Sequence, residues 1–218
     1  MEGVAAIDGL RLWLGVAGTV AFAVTAVIAV APRGVDLFGV VVLGVITAVG
    51  GGTLRDLIIG APVFWTVDQT LVWVAIGASL LAFAAQPLFQ RRSLFLALLY
   101  LDGLGAAVFG IQAVTKVWAL DIGRPLAPIV LGVVTAVGGG ILRDMLAGRP
   151  SLLMTRELYA VPVLTGCTLY VAALSLWPAH GTEAAVFAAC LIFAIRAAAI
   201  RWKLVMPRIL VTRTHPDA

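Results

Sequence analysis

Two stretches of the chain place glycine, arginine and aspartate at one spacing inside otherwise apolar sequence. In the first, Gly50-Gly51-Gly52 is followed by Arg55-Asp56; in the second, Gly138-Gly139-Gly140 is followed by Arg143-Asp144. Three adjacent glycines weaken a helix by about 1 kcal/mol each relative to alanine. Near the middle of an apolar span they can free main-chain carbonyls and create two half-helix ends. Carbonyl oxygens of that kind can replace the hydration shell of a cation. The alternative is packing, since small residues let two helix backbones approach closely. A triplet exceeds what a crossing requires, which favours a helix break beside an ion pathway.

The Arg-Asp pairs follow each triplet by three and four residues. Neighbouring residues on a helix do not face each other, so each Arg and each Asp is expected to reach another helix as an interhelical charge clamp. Snorkelling of an end-of-helix charge is the competing reading. A third set, Asp102, Phe109, Gln112 and Lys116, projects within an arc of about 80° on one helix. An intramembrane carboxylate and a lysine on one stripe read as a polar pathway or a gate. A lysine there would repel a cation, so Lys116 is expected to act in gating, with snorkelling equally open. Thr25, Thr47 and Thr135 line a path or satisfy their own helix backbones.

Other polar residues carry less. Pro162 is expected to kink its helix, and Arg196 to snorkel. Cys167 and Cys190 fall in apolar spans and read as packing residues. His180 and His215 have no partners that point to catalysis. No Ser/His, Cys/His or metal-ligand constellation supports an enzyme, and no cofactor is expected beyond permeant K+ or Na+.

The elements that must position these residues are membrane helices. Hydrophobic residues make up 62% of the chain and charged residues 12%, and mean hydropathy is +1.08. These values place the chain among integral helical membrane proteins, in one membrane domain over 1–218. The net charge of +4 reflects arginines between apolar segments, where they set topology; no nucleic acid is implied. Spans of about 20 apolar residues are expected at 10–31, 37–59, 69–89, 94–118, 127–147, 157–177 and 184–204. The N-terminus lacks the basic region of a cleavable signal peptide, so the first span is expected to be retained.

The sequence from Leu43 to Pro62 returns 88 residues later from Leu131 to Pro150, with 14 of 20 positions identical. Three spans separate the matching ones, so the two copies enter the membrane from opposite faces. The reading is an all-α protein of seven transmembrane helices: two inverted three-helix repeats over 10–90 and 94–178, a C-terminal helix over 184–204 and a basic tail over 205–218. A second alignment, of Gly18, Phe22 and Ala26 with Gly105, Phe109 and Ala113, supports it. Lys/Arg residues gather on one side: Arg33, Arg91, Arg92, Arg149, Arg156 and the tail. That side is read as cytoplasmic, with the N-terminus outside, the C-terminus inside and the tail suited to anionic lipids.

With its paired Gly-Gly-Gly-Xaa-Leu-Arg-Asp motifs, the chain resembles the prokaryotic branch of the trimeric intracellular cation (TRIC) channels, earlier labelled putative glycine transporters. Leu101 to Gln112 and Arg156 to Ala160 also look like family segments. The resemblance implies a homotrimer in a prokaryotic inner membrane, with a hydrophilic pore for monovalent cations, mainly K+, in every protomer. By that resemblance Gly50 to Gly52 and Gly138 to Gly140 kink their spans beside the pore, and Lys116 is the basic residue linked to gating. The animal Lys-Glu-Val motif does not stand here, since Val117-Trp118 follows Lys116. A passive channel is therefore the leading expectation. A secondary transporter of glycine or another small zwitterion is the alternative, because inverted repeats with broken helices are also carrier architecture.

Overall fold

The computed structural model describes residues 2–86 and 91–207. The expected tail residues Arg208 and Arg213 lie outside them, and for Arg11, Arg91 and Arg92 only the backbone is described. The described chain is helical: α1 (Glu2–Val30), α2 (Leu37–Ile58), α3 (Phe64–Val67), α4 (Thr70–Ala85), α5 (Arg91–Ala119), α6 (Leu126–Leu146), α7 (Ala160–Leu176) and α8 (Gly181–Trp202). Five helical stretches are long and apolar enough to cross a membrane: Leu12–Arg33, Leu37–Ile58, Leu94–Ala119, Leu126–Leu146 and Pro178–Trp202. Two further apolar helices, α4 and α7, have 16 and 17 residues. The exterior carries exposed Trp13, Phe38, Trp73, Leu81 and Phe187, the surface a bilayer requires.

Local chemistry explains where the repeated helices stop. The Asp36 carboxylate accepts from the Gly39 amide at 2.7 Å and starts α2. At the far end Gly60 adopts φ +67°, and Gly148 adopts φ +55° after α6. Gly60 N–H donates to Leu57 and Ala61 N–H to Asp56; Gly148 donates to Met145 and Arg149 to Asp144. Both helices thus end in the same Schellman motif, with proline two residues after the glycine. Pro162 does not kink a span interior. It is the third residue of α7, in the first turn, where a missing amide donor leaves no intrahelical bond unmade.

Packing shows how the two halves meet. A side chain on Gly51 would overlap the Thr135 carbonyl oxygen, and one on Gly139 would overlap that of Thr47. Gly50 faces Leu142 and Gly138 faces Leu54. Each contact recurs with its partners exchanged across the 88-residue offset, so α2 and α6 cross antiparallel about a local twofold at Gly51 and Gly139. The relation extends to α1 and α5. The Phe22 ring fills the space beside Gly105, Phe109 lies against Gly18, and the two rings sit 5.4 Å apart. These small-residue contacts, together with buried Ala48, Ala106, Ala107 and Ala136, form the core at the crossing.

Candidate functional site

The glycine triplets do not break their helices. Both α2 and α6 run as uninterrupted α-helix through Gly50–Gly52 and Gly138–Gly140, so the expected half-helix ends are absent there. Gly51, Gly138 and Gly139 serve the crossing, where the missing side chain admits the other helix's backbone, while Gly52 makes room for the Phe64 ring and Gly140 for the Tyr159 hydroxyl. The three threonines also turn to their own helices: Thr25 donates to Phe22 O at 2.7 Å, Thr47 to Leu43 O at 2.7 Å and Thr135 to Leu131 O at 2.6 Å. Thr47 is sealed at 0% exposure, whereas Thr135 also borders a cavity.

That cavity, about 490 Å³, opens beside the C-terminal halves of α2 and α5 and reaches down to the crossing. Its polar wall comprises Arg55, Gln112, Thr115, Lys116 and Thr135, with Phe64 and Phe109 among the apolar residues. Asp56 organises the wall. One carboxylate oxygen accepts from Arg55 Nε at 2.8 Å and from Lys116 Nζ at 2.7 Å. The other accepts the Phe64 amide at 2.9 Å and so starts α3, while Arg55 lies over the Phe64 ring at 5.9 Å. The Asp56 side chain is fully buried, but that of Lys116 is 32% exposed. Trp65 donates to Thr53 at 2.9 Å and pins α3 to α2.

The second Arg-Asp pair is closed. Arg143 is fully buried; its Nε donates to Asp144 at 2.9 Å, and its Nη1 donates to Asp102 at 2.6 Å and to Thr25 at 2.9 Å. Asp144 accepts the Leu152 amide at 3.2 Å, eight residues on, as Asp56 accepts that of Phe64. Gly140 leaves space that the Tyr159 hydroxyl, the Asp102 carboxylate and the Arg143 guanidinium share.

The stripe on α5 is therefore divided. Phe109, Gln112 and Lys116 line the cavity, whereas Asp102 lies seven residues below Phe109 in the sealed cluster. The clamp expectation holds for Lys116–Asp56 and Asp102–Arg143, both between helices. It fails for Arg55 and Asp144, whose ion pairs are with the residue beside them, and each Arg pairs with its neighbouring Asp. A long guanidinium in the last helical turn folds back where two short side chains would diverge. Arg196 does not snorkel either: it is 2% exposed and donates to Glu157 at 2.9 Å and to Leu158 O at 3.2 Å. Sequence reasoning missed Phe64, Thr115 and Tyr159. The equal eight-residue reach from each Asp of the repeat to a backbone amide is disclosed only by the fold.

Two segments, residues 12–87 and 99–175, match the family model described as glycine transporter. The inner membrane protein YadS of Escherichia coli K12, of family UPF0126, is 39% identical over 201 residues, covering 91% of this chain and 95% of its own. A UPF0126 membrane protein of Vibrio cholerae is 37% identical over 215 residues, 95% of this chain and 87% of its own. The solved TRIC trimeric intracellular cation channel orthologue from Rhodobacter sphaeroides superposes with a TM-score of 0.82 at 34% identity, covering 89% of this chain and 99% of that one. The chain belongs to the prokaryotic TRIC family. A prokaryotic TRIC channel solved in 0.5 M KCl shares the fold, with a TM-score of 0.83 at 22% identity. Within this TRIC chain, each family-model match takes in one glycine triplet and one Arg-Asp pair.

Proposed function

We propose that this protein is a cation channel of the inner membrane, permeable to K+, assembled as a homotrimer with one hydrophilic path in each protomer. The five long apolar helices and the shorter α4 and α7 all cross the membrane, the N-terminus lies outside, and the basic tail lies in the cytoplasm. The observation that carries this reading is the 490 Å³ cavity with Arg55, Gln112, Thr115 and Lys116 on its wall, ending at the α2–α6 crossing. Polar groups at that depth are tolerated where they face protein or water. On this reading the path continues past the Phe22–Phe109 pair toward Asp102 and Arg143, whose ion pair holds it closed. Opening requires the crossing to shift and Arg143 to leave at least one of its carboxylates.

The carrier alternative rested on inverted repeats with broken helices, and the continuous α2 and α6 remove the breaks from the triplets. The deciding experiment is flux from liposomes holding a K+ gradient, with radiolabelled glycine tested in parallel. Rapid K+ flux without glycine uptake is the expected result. Saturable glycine uptake driven by a Na+ or H+ gradient would overturn the channel reading.

A further inference from the structure

Away from the cavity, a cleft of about 410 Å³ lies between the C-terminal ends of α1 and α6 and the start of α5. Its lining is Ile28, Ala29, Pro32, Leu94, Phe95 and Leu98, with the guanidinium-bearing Arg33 and Arg149. The two arginines are fixed by main-chain carbonyls. Arg33 donates to Gly148 O at 3.1 Å, and Arg149 donates to Ala29 O at 3.3 Å. Among the described residues neither forms an ion pair. The nearby carboxylate, Asp144, is engaged by Arg143 and the Leu152 amide. Partial burial, together with the positive charges of Arg143 and Arg33, lowers the pKa of Arg149 against the pull of Asp144. Two uncompensated cations thus share one cleft whose remaining lining is apolar.

The location fixes the chemistry of the occupant. Three apolar spans end around this cleft: Leu12–Arg33 closes at Arg33, Leu94–Ala119 opens at Leu94, and Leu126–Leu146 closes three residues before Arg149. The guanidiniums therefore stand at headgroup depth while Ile28, Leu94 and the exposed Phe95 face the edge of the hydrocarbon. Guanidinium pairs bind phosphate through charge-assisted hydrogen bonds, and basic pockets between membrane helices hold lipid headgroups. A soluble phosphate would leave the apolar floor unused.

We propose that this cleft binds one anionic phospholipid, its phosphate held by Arg33 and Arg149 and an acyl chain lying over Ile28, Leu94 and Phe95. The site stands apart from the channel reading, because it lies at the end of α5 opposite Lys116 and its test needs no ion flux. Purified protein in a neutral detergent is titrated with phosphatidylglycerol, phosphatidylcholine or millimolar inorganic phosphate while Tm is followed. Phosphatidylglycerol is expected to raise Tm by about 5 °C at saturation, with at least half of the rise lost in an Arg33→Gln/Arg149→Gln variant and none lost in Arg124→Gln. A rise undiminished in the double variant would overturn the proposal, as would an equal rise with inorganic phosphate. Wild-type protein supplies a second readout should the double variant not fold. Photo-crosslinking with a diazirine-acyl phosphatidylglycerol should concentrate label on residues 28–33 and 94–98, and label no denser there than on other lipid-facing helices would defeat the idea.

Discussion

The two Arg-Asp corners sit at the same end of matching helices, α2 and α6, with the same reach to a backbone amide, yet one is half-open and the other sealed. The difference comes from the helices beside them. In the register that pairs Phe22 with Phe109, Asp102 corresponds to Gly15 and Lys116 to Ala29. Where Arg143 finds the Asp102 carboxylate, the matching position on α1 is Gly15, which offers Arg55 no carboxylate, and Arg55 lines a cavity instead. Where Asp56 finds Lys116, the matching position is Ala29, whose carbonyl accepts from Arg149, a residue that replaces Ala61 in the repeat. With all groups ionised, the Arg55–Asp56–Lys116 corner carries one net positive charge, and the Asp102–Arg143–Asp144 corner one net negative charge. Duplication set the shared scaffold; substitutions on α1, α5 and one loop left one end open to a cavity and the other sealed.

If that contrast is real, the largest stability effect falls at the sealed end. Arg143 is fully buried, and breaking a buried pair by removing one partner costs about 3–5 kcal/mol. Asp102→Ala is accordingly expected to lower Tm by about 10 °C and to reduce recovery of folded protein. Thermal unfolding in detergent measures it. A loss no greater than that of Lys116→Met would erase the distinction between the corners.

The crossing should behave in the opposite way, as one feature shared by both halves. Gly139→Ala sets a methyl group against the Thr47 carbonyl, and Gly51→Ala sets one against that of Thr135. Overpacking of this kind costs about 1–3 kcal/mol, so each variant should lose several degrees of Tm and most of its K+ flux. The two losses should be similar. A large effect at one glycine and none at the other would show that the local twofold is not energetically shared.

These glycines also mark the limit of what the sequence discloses. The duplication, the apolar spans and the antiparallel relation of the halves are legible, because apolar runs of about 20 residues and a 20-residue match survive without knowledge of contacts. The helical state of Gly50–Gly52 is not legible. Propensity counts the penalty each glycine brings to an isolated helix, while the compensating close approach of α6 is a tertiary term that propensity omits. Tyr159 was hidden for a related reason: it precedes α7 in an irregular stretch, and only the fold carries its hydroxyl to Gly140. Arg196 read as a snorkelling charge because its partner Glu157 lies on a separate connection.

The smallest stability change, and the sharpest functional one, belongs to Lys116. Its side chain is about one-third exposed, and ion pairs open to solvent contribute about 0–1 kcal/mol, so Lys116→Met should leave Tm nearly unchanged. The electrostatics of the cavity should nevertheless change. Loss of the ammonium takes the corner from one net positive charge to none and leaves Asp56 with Arg55 alone. A lowering of the barrier for a passing cation by about 1.4 kcal/mol corresponds to a tenfold rise in K+ flux, and salt should screen part of it. Lys116→Arg keeps the charge and should keep the wild-type rate. Flux that rises in Lys116→Met, and less so at high ionic strength, would identify Lys116 as an electrostatic brake in the cavity. Equal flux in all three proteins would place the ion path away from this cavity and leave the Lys116–Asp56 pair as a fastener between α5 and α2.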